Sequence, residues 1–262
     1  MSPEASEAWR ALGTPRAGGV LLIGDHASNH VPADIDLGID PALLRQHIAV
    51  DLGVAEVAQR LVADGAVDAA ILGGVSRLVV DCNRDEDAPG AIPIASDGHA
   101  IPGNALDHAG REARLARFFR PYHAHIAATI AAHRPAMIVS LHSFTPALAS
   151  DPDQARPWHV GVLYNCDDRL AAPAIAALEA EGLCVGDQQP YSGKLLNATM
   201  NRHAEAHHIP YIGIEMRQDL ADTPAGQTLW AARLGRLCEQ LSHGEAGGKI
   251  DMRAEAAESA EK

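Results

Sequence analysis

Five short, nearly uninterrupted apolar runs punctuate this 262-residue chain, and they narrow its architecture more than any other feature. They are Gly19–Gly24 (GVLLIG), Arg77–Asp81 (RLVVD), Ala136–Leu141 (AMIVSL), His159–Asn165 (HVGVLYN) and Pro210–Glu215 (PYIGIE). A strand covered on both faces has no polar alternation, so runs of this kind predict buried strands. Between them, helical spacing is expected over about 41–64, 105–132, 168–182, 198–208 and 226–242. Ala55, Val57, Leu61 and Val62 mark a buried face of the first helix, and Leu115, Phe118, Phe119 and Tyr122 mark one of the second. Strand alternating with helix predicts an α/β fold: a three-layer sandwich around a central mixed, mostly parallel sheet.

No internal repeat or linker divides the body, so residues 18–242 are read as a single domain. Residues 1–17 are expected to be an extension. The charged stretch from His243 (243–262) is poor in apolar residues, and disorder is expected there. The loop Glu86–Asn104, with three prolines and three glycines, suits a binding loop or lid.

Charge excludes one class of partner. With 21 basic and 34 acidic residues the net charge is −13, which repels a phosphate backbone or an anionic membrane. Neither nucleic acid nor membrane is expected as a partner, and no run approaches the ~20 apolar residues of a membrane span. The cysteines (Cys82, Cys166, Cys184 and Cys238) are scattered, and the N-terminal residues lack the apolar core of a secretory signal. Both point to a reducing, cytoplasmic setting.

Common motifs fail on inspection. Gly186–Lys194 (GDQQPYSGK) resembles a phosphate loop but has Gln188 where a glycine is required and Leu195 after the lysine. His203 and His207, four apart on an expected helix, can share a metal, although exposed helix histidines are common. The stronger signal is polar residues crowding the ends of expected strands: Asp25-His26-Ala27-Ser28-Asn29-His30, Asp81-Cys82-Asn83-Arg84-Asp85, Ser140-Leu141-His142-Ser143 and Glu215-Met216-Arg217-Gln218-Asp219. Ligand sites in open α/β sheets form beyond the carboxyl ends of strands. Imidazoles for a metal, a carboxylate for a base and guanidiniums for anionic substrate groups together make the inventory of a metal-dependent hydrolase. Taken singly, each residue has a plainer reading as a hydrogen-bonded strand end. Cys82 is read as packing, not as a nucleophile.

The same residues resemble the N-formylglutamate amidohydrolase family. The matching blocks are GDHASNHVP (24–32), HIAVDLG (47–53), SRLVVDCNRD (76–85), IPGN (101–104), SLHSFTP (140–146), RPWHVGVLYN (156–165), GDQQPYSG (186–193) and IEMRQDL (214–220). The likeness runs from about residue 19 to 242. It implies a phosphorylase/hydrolase-like α/β fold related to zinc carboxypeptidases and aspartoacylase-like deacylases. It also implies one zinc ion, with His26 and His142 as ligands. Asn29 stands where the wider group has a glutamate ligand, so the third ligand is either Asn29 or an acid such as Asp51.

By the same resemblance Glu215 is the general base, Arg77 stabilises the oxyanion, and Asn83 and Arg84 bind the substrate carboxylate. Arg217 would be a second cation favouring acidic substrates. The implied reaction is hydrolysis of N-formyl-L-glutamate to formate and L-glutamate, a step belonging to histidine degradation. Competing readings are a related hydrolase of another N-acyl amino acid or small peptide, a metal- or ligand-binding protein without catalysis, and a scaffold.

Overall fold

The computed structural model describes residues 6–247. Seven strands form the central sheet: β1 (Trp9–Gly13), β2 (Val20–Gly24), β3 (Ala69–Gly73), β6 (Met137–Phe144), β7 (Val160–Leu163), β8 (Val185–Asp187) and β9 (Tyr211–Arg217). Their order is β1-β3-β2-β6-β9-β7-β8. The four central strands run parallel, β1 and β7 are antiparallel to their inner neighbours, and β8 is parallel to β7. A hairpin, β4 (Ala95–Ser96) and β5 (His99–Ala100), stands apart within the loop after residue 86.

The helices are α1 (Val54–Ala63), α2 (His108–Arg114), α3 (Arg120–Ala132), α4 (Ala171–Ala180), α5 (Ala198–His203) and α6 (Pro224–Gly247). Alternate strand residues feed two separate cores. Leu22, Leu72, Val139 and Ile214 pack with α1, α4 and α6 on one face, around the fully buried Trp230. Leu21, Ile71, Ile138 and Tyr211 pack on the other against Phe118, Phe119, Tyr122 and Ile126 and against Met200 of α5. The expected three-layer α/β sandwich with a mixed, mostly parallel sheet is therefore the observed fold.

Several expected elements shift. Arg77–Asp81 is a turn, not a strand: the amides of Val79 and Val80 donate to the Ser76 carbonyl while both side chains enter the second core. The strand beside β2 is β3, whose alanine-rich AAILG run carries a weaker β signal. Residues 9–13, expected in an extension, form the edge strand β1. The expected helix over 41–64 is a short helical turn at Pro41–Arg45 and then α1. The break is Gly53, in a left-handed conformation (φ +85°) where a Cβ would lie 2.3 Å from the Ala221 carbonyl oxygen. Only glycine fits there, so the chain turns into α1 directly after Asp51. The helix α6 runs on to Gly247, and the disorder expected of the remaining tail lies outside the described residues. Among the described residues no helix is long and apolar enough to cross a membrane.

The pair of helical histidines does not share a metal. His207 is exposed, whereas His203 is buried and bonded to His123 of α3. His123 Nε2–H donates to the Cys82 carbonyl (3.0 Å), so its Nδ1 accepts from His203 Nε2–H (2.9 Å). Burial, with Arg202 nearby, depresses His123 to about 4; burial, with His123 and Arg202, depresses His203 to about 3. Both are neutral in the fold, and their unfolded value lies near ~6.5. Their neutral pairing therefore contributes fully above that pH and is lost as pH falls towards 4 and 3, at up to ~1.4 kcal/mol per pH unit for each ring. Denaturant titrations at pH 7 and pH 5 should show wild type losing stability on acidification and His203→Gln losing less.

Candidate active site

Beyond the carboxyl ends of the central strands lies a cavity of about 130 Å³, lined among others by His26, Asp51, Arg77, Asn83, Arg84, His142, Tyr191 and Glu215. His142 on β6 and Glu215 on β9 are direct partners in the parallel ladder, so the sheet register sets them side by side. His26 follows β2, and the Asp51 amide donates to the His26 carbonyl (2.9 Å), which draws the start of α1 to the same point. Arg77 arrives from the turn after β3, its amide bonded to the Ala49 carbonyl.

His26, Asp51 and His142 are all buried, and among the described residues their ligand atoms form a group within 4.8 Å of one another. Both rings turn Nδ1 towards Asp51 Oδ2, at 3.5 Å for His26 and 3.0 Å for His142. Each Nε2 faces a different carboxylate: Asp81 Oδ1 is 2.8 Å from His26 Nε2, and Asp25 Oδ2 is 3.4 Å from His142 Nε2. His26 Nδ1 and Glu215 Oε2 are buried and have no hydrogen-bond partner among the described residues. Such atoms are costly unless something else satisfies them. Two imidazole nitrogens and one carboxylate, with outer carboxylates on the far ring nitrogens, make a donor set that fits a divalent cation with one open position.

Electrostatics separate the carboxylates. Burial acts to raise Asp51, but the Arg77 guanidinium, ion-paired with it, and the two histidines outweigh burial and hold it well below the usual carboxylate range. Asp81 and Asp25 likewise stay low against burial, through His26 and His142 respectively. Glu215 differs. Burial dominates and pushes its carboxyl up to about 7, against the pull of His142. A carboxylate kept near neutrality in a cleft has the proton affinity of a general base.

Six of the residues read from sequence thus converge: His26, His142, Glu215, Arg77, Asn83 and Arg84. Two do not. Asn29 is exposed, and Asp51 occupies the place beside the histidines. Arg217 is turned away, ion-paired to Asp219 (2.8 Å) and donating to the Pro157 carbonyl. Sequence reasoning passed over Tyr191, although it sits in the GDQQPYSG block. Gly161 lets that segment close over the site, since a Cβ there would lie 2.1 Å from the Gln189 carbonyl oxygen. Also missed was His47, 3.0 Å from Asp97 at the tip of the β4–β5 hairpin, whose carboxylate also accepts from the Ala149 and Ser150 amides. Cys82 is buried, and burial pushes its thiol well up, which agrees with packing.

Buried histidines, a carboxylate near neutrality and cationic side chains are the groups of a hydrolase site, and the family match makes the chain a hydrolase acting on an amide bond. The family model described as N-formylglutamate amidohydrolase matches residues 18–221, and the chain belongs to that family. A gene product from Agrobacterium tumefaciens has a similar solved structure, with 32% identity, a TM-score of 0.84, and coverage of 92% of this chain and 97% of that one. An N-formylglutamate amidohydrolase from Ralstonia eutropha shares the fold at 19% identity and TM-score 0.70, covering 93% and 100%. No curated protein matches the chain significantly.

Proposed function

We propose that this protein hydrolyses N-formyl-L-glutamate to formate and L-glutamate, with zinc held by His26, Asp51 and His142. The observation that carries the reading is Glu215 Oε2, buried and unpartnered in the same small cavity as that group and the Asn83–Arg84 pair. His26, Asp51 and His142 would hold the cation, whose Lewis acidity would lower the pKa of an attacking water towards ~7. Glu215 takes the proton of that water as it adds to the formyl carbon, then delivers it to the leaving amine nitrogen. Arg77, anchored on Asp51 and lining the cavity, would stabilise the oxygen that becomes negative in the tetrahedral intermediate.

Asn83 Oδ1 accepts from the Thr199 amide (3.1 Å), so its NH₂ group is free to donate into the cavity. Arg84 beside it offers a planar fork suited to a carboxylate. Arg84→Ala should raise KM strongly for N-formyl-L-glutamate and less for its α-amide, in steady-state assays. Equal effects on both would remove the carboxylate contact. The reading itself is tested by formate release from N-formyl-L-glutamate by zinc-loaded protein, with chelator-treated protein and N-acetyl-L-glutamate as controls. Metal-dependent release confined to the formyl compound is expected. Metal uptake without release would move the assignment to another N-acyl amino acid.

A further inference from the structure

We infer that Tyr122 and Thr199, neither of which lines the cavity, are positioning residues that set metal affinity through Asp25 and His142. The inference rests on the metal site proposed above. Both side chains are fully buried, Tyr122 on α3 and Thr199 on α5. Their hydroxyls donate to one and the same oxygen, Asp25 Oδ1, at 2.9 Å and 2.8 Å; for Thr199 this is the nearer and the charged one of two acceptors, the other being the Cys82 carbonyl at 3.2 Å. The other oxygen, Oδ2, has no hydrogen-bond partner among the described residues and lies 3.4 Å from His142 Nε2.

Two donors on a single oxygen resist rotation of the carboxylate about its Cβ–Cγ bond, so Oδ2 is held facing the ring. When Nδ1 of His142 is a ligand, Nε2 must carry the proton, and it needs an acceptor. Two compete: Asp25 Oδ2, and Ser140 Oγ at 3.2 Å. The anionic acceptor raises the ligand's basicity and fixes the ring; the neutral hydroxyl does so less. Tyr122 and Thr199 hold the first in place. His26 is served differently, since its Asp81 acceptor is fixed by the backbone amide of Asn83 two residues on (2.9 Å). Only the His142 side depends on hydroxyls brought by two helices. Thr199 has a second task, because its amide also orients Asn83.

The test is zinc affinity by competition with a chromophoric chelator, on wild type, Tyr122→Phe, Thr199→Val and Thr199→Ser. The melting temperature of each metal-free protein is measured alongside. Outer-shell partners are worth roughly 10- to 100-fold in metal affinity. Each of the first two variants should weaken zinc binding by about 10-fold, and Thr199→Ser should restore it. In an Asp25→Asn background, Tyr122→Phe should add no further loss, because its effect passes through that carboxylate. Variants that melt lower but bind zinc as tightly as wild type would overturn the inference and leave the metal site standing. Wild-type protein that takes up no zinc would overturn both. Should one variant fail to fold, the other reads the second donor on the same oxygen.

Discussion

Glu215→Gln protein should bind zinc stoichiometrically and turn over N-formyl-L-glutamate at least ~10²-fold more slowly than wild type, the range expected when a positioned general base is lost. Glutamine keeps the shape of the side chain but cannot take a proton, so the effect falls on kcat and leaves metal content alone. The pH profile carries the same information. Burial sets the carboxyl at about 7, and a cation on the adjacent ligands can only lower that value. The acidic limb of kcat/KM therefore lies at or below about pH 7: the base is ionised above it and lost as pH falls through it. Near-normal turnover by the variant would remove Glu215 from the mechanism.

Asp51→Asn should lose zinc on dialysis, with affinity falling by more than the ~100-fold that an outer-shell partner is worth. The substitution removes the one anion among the three ligands and leaves the Arg77 guanidinium beside a neutral amide. Asn29→Ala is the matched control and should keep its metal, since Asn29 is exposed. Metal analysis of the two proteins separates the two candidates for the third ligand. The reverse pattern, with zinc lost from Asn29→Ala and kept by Asp51→Asn, would reject the geometry described here.

Much of the fold was legible because buried strands leave a one-dimensional trace. GVLLIG, AMIVSL and PYIGIE each overlap an observed strand, since covering both faces of a sheet demands apolar residues at every position. Where that trace misled, competing forces account for it. Val79 and Val80 are buried as a strand's residues would be, but in a turn whose amides bond back to Ser76. The alanines of β3 carry little β signal of their own, so its AAILG run was passed over. The site was legible where local spacing defined it. His26 and His142 sit at strand ends, and Asn83 and Arg84 are adjacent.

The carboxylate grouped with the two histidines was less so. Asp51 lies 25 positions after His26, and it is folding, through contacts such as the Asp51 amide bond to the His26 carbonyl, that brings the two together. Arg217 is the opposite case. It follows Glu215 on the same strand face, yet Asp219, two residues on, captures its guanidinium. Tyr122 and Thr199 reach Asp25 across 97 and 174 residues, and no sequence pattern marks such contacts.

The pairing of His142 with Glu215 in adjacent, parallel strands has an evolutionary consequence. Their backbones are held apart by the sheet's own ~4.8 Å repeat, a dimension that no loop controls. The segments at 86–104, 145–157 and 188–197 are thus at liberty to lengthen, shorten or exchange side chains without altering the gap between His142 and Glu215. Selection acting on those segments can redraw which amide is admitted while the spacing of His142 and Glu215 is inherited unchanged.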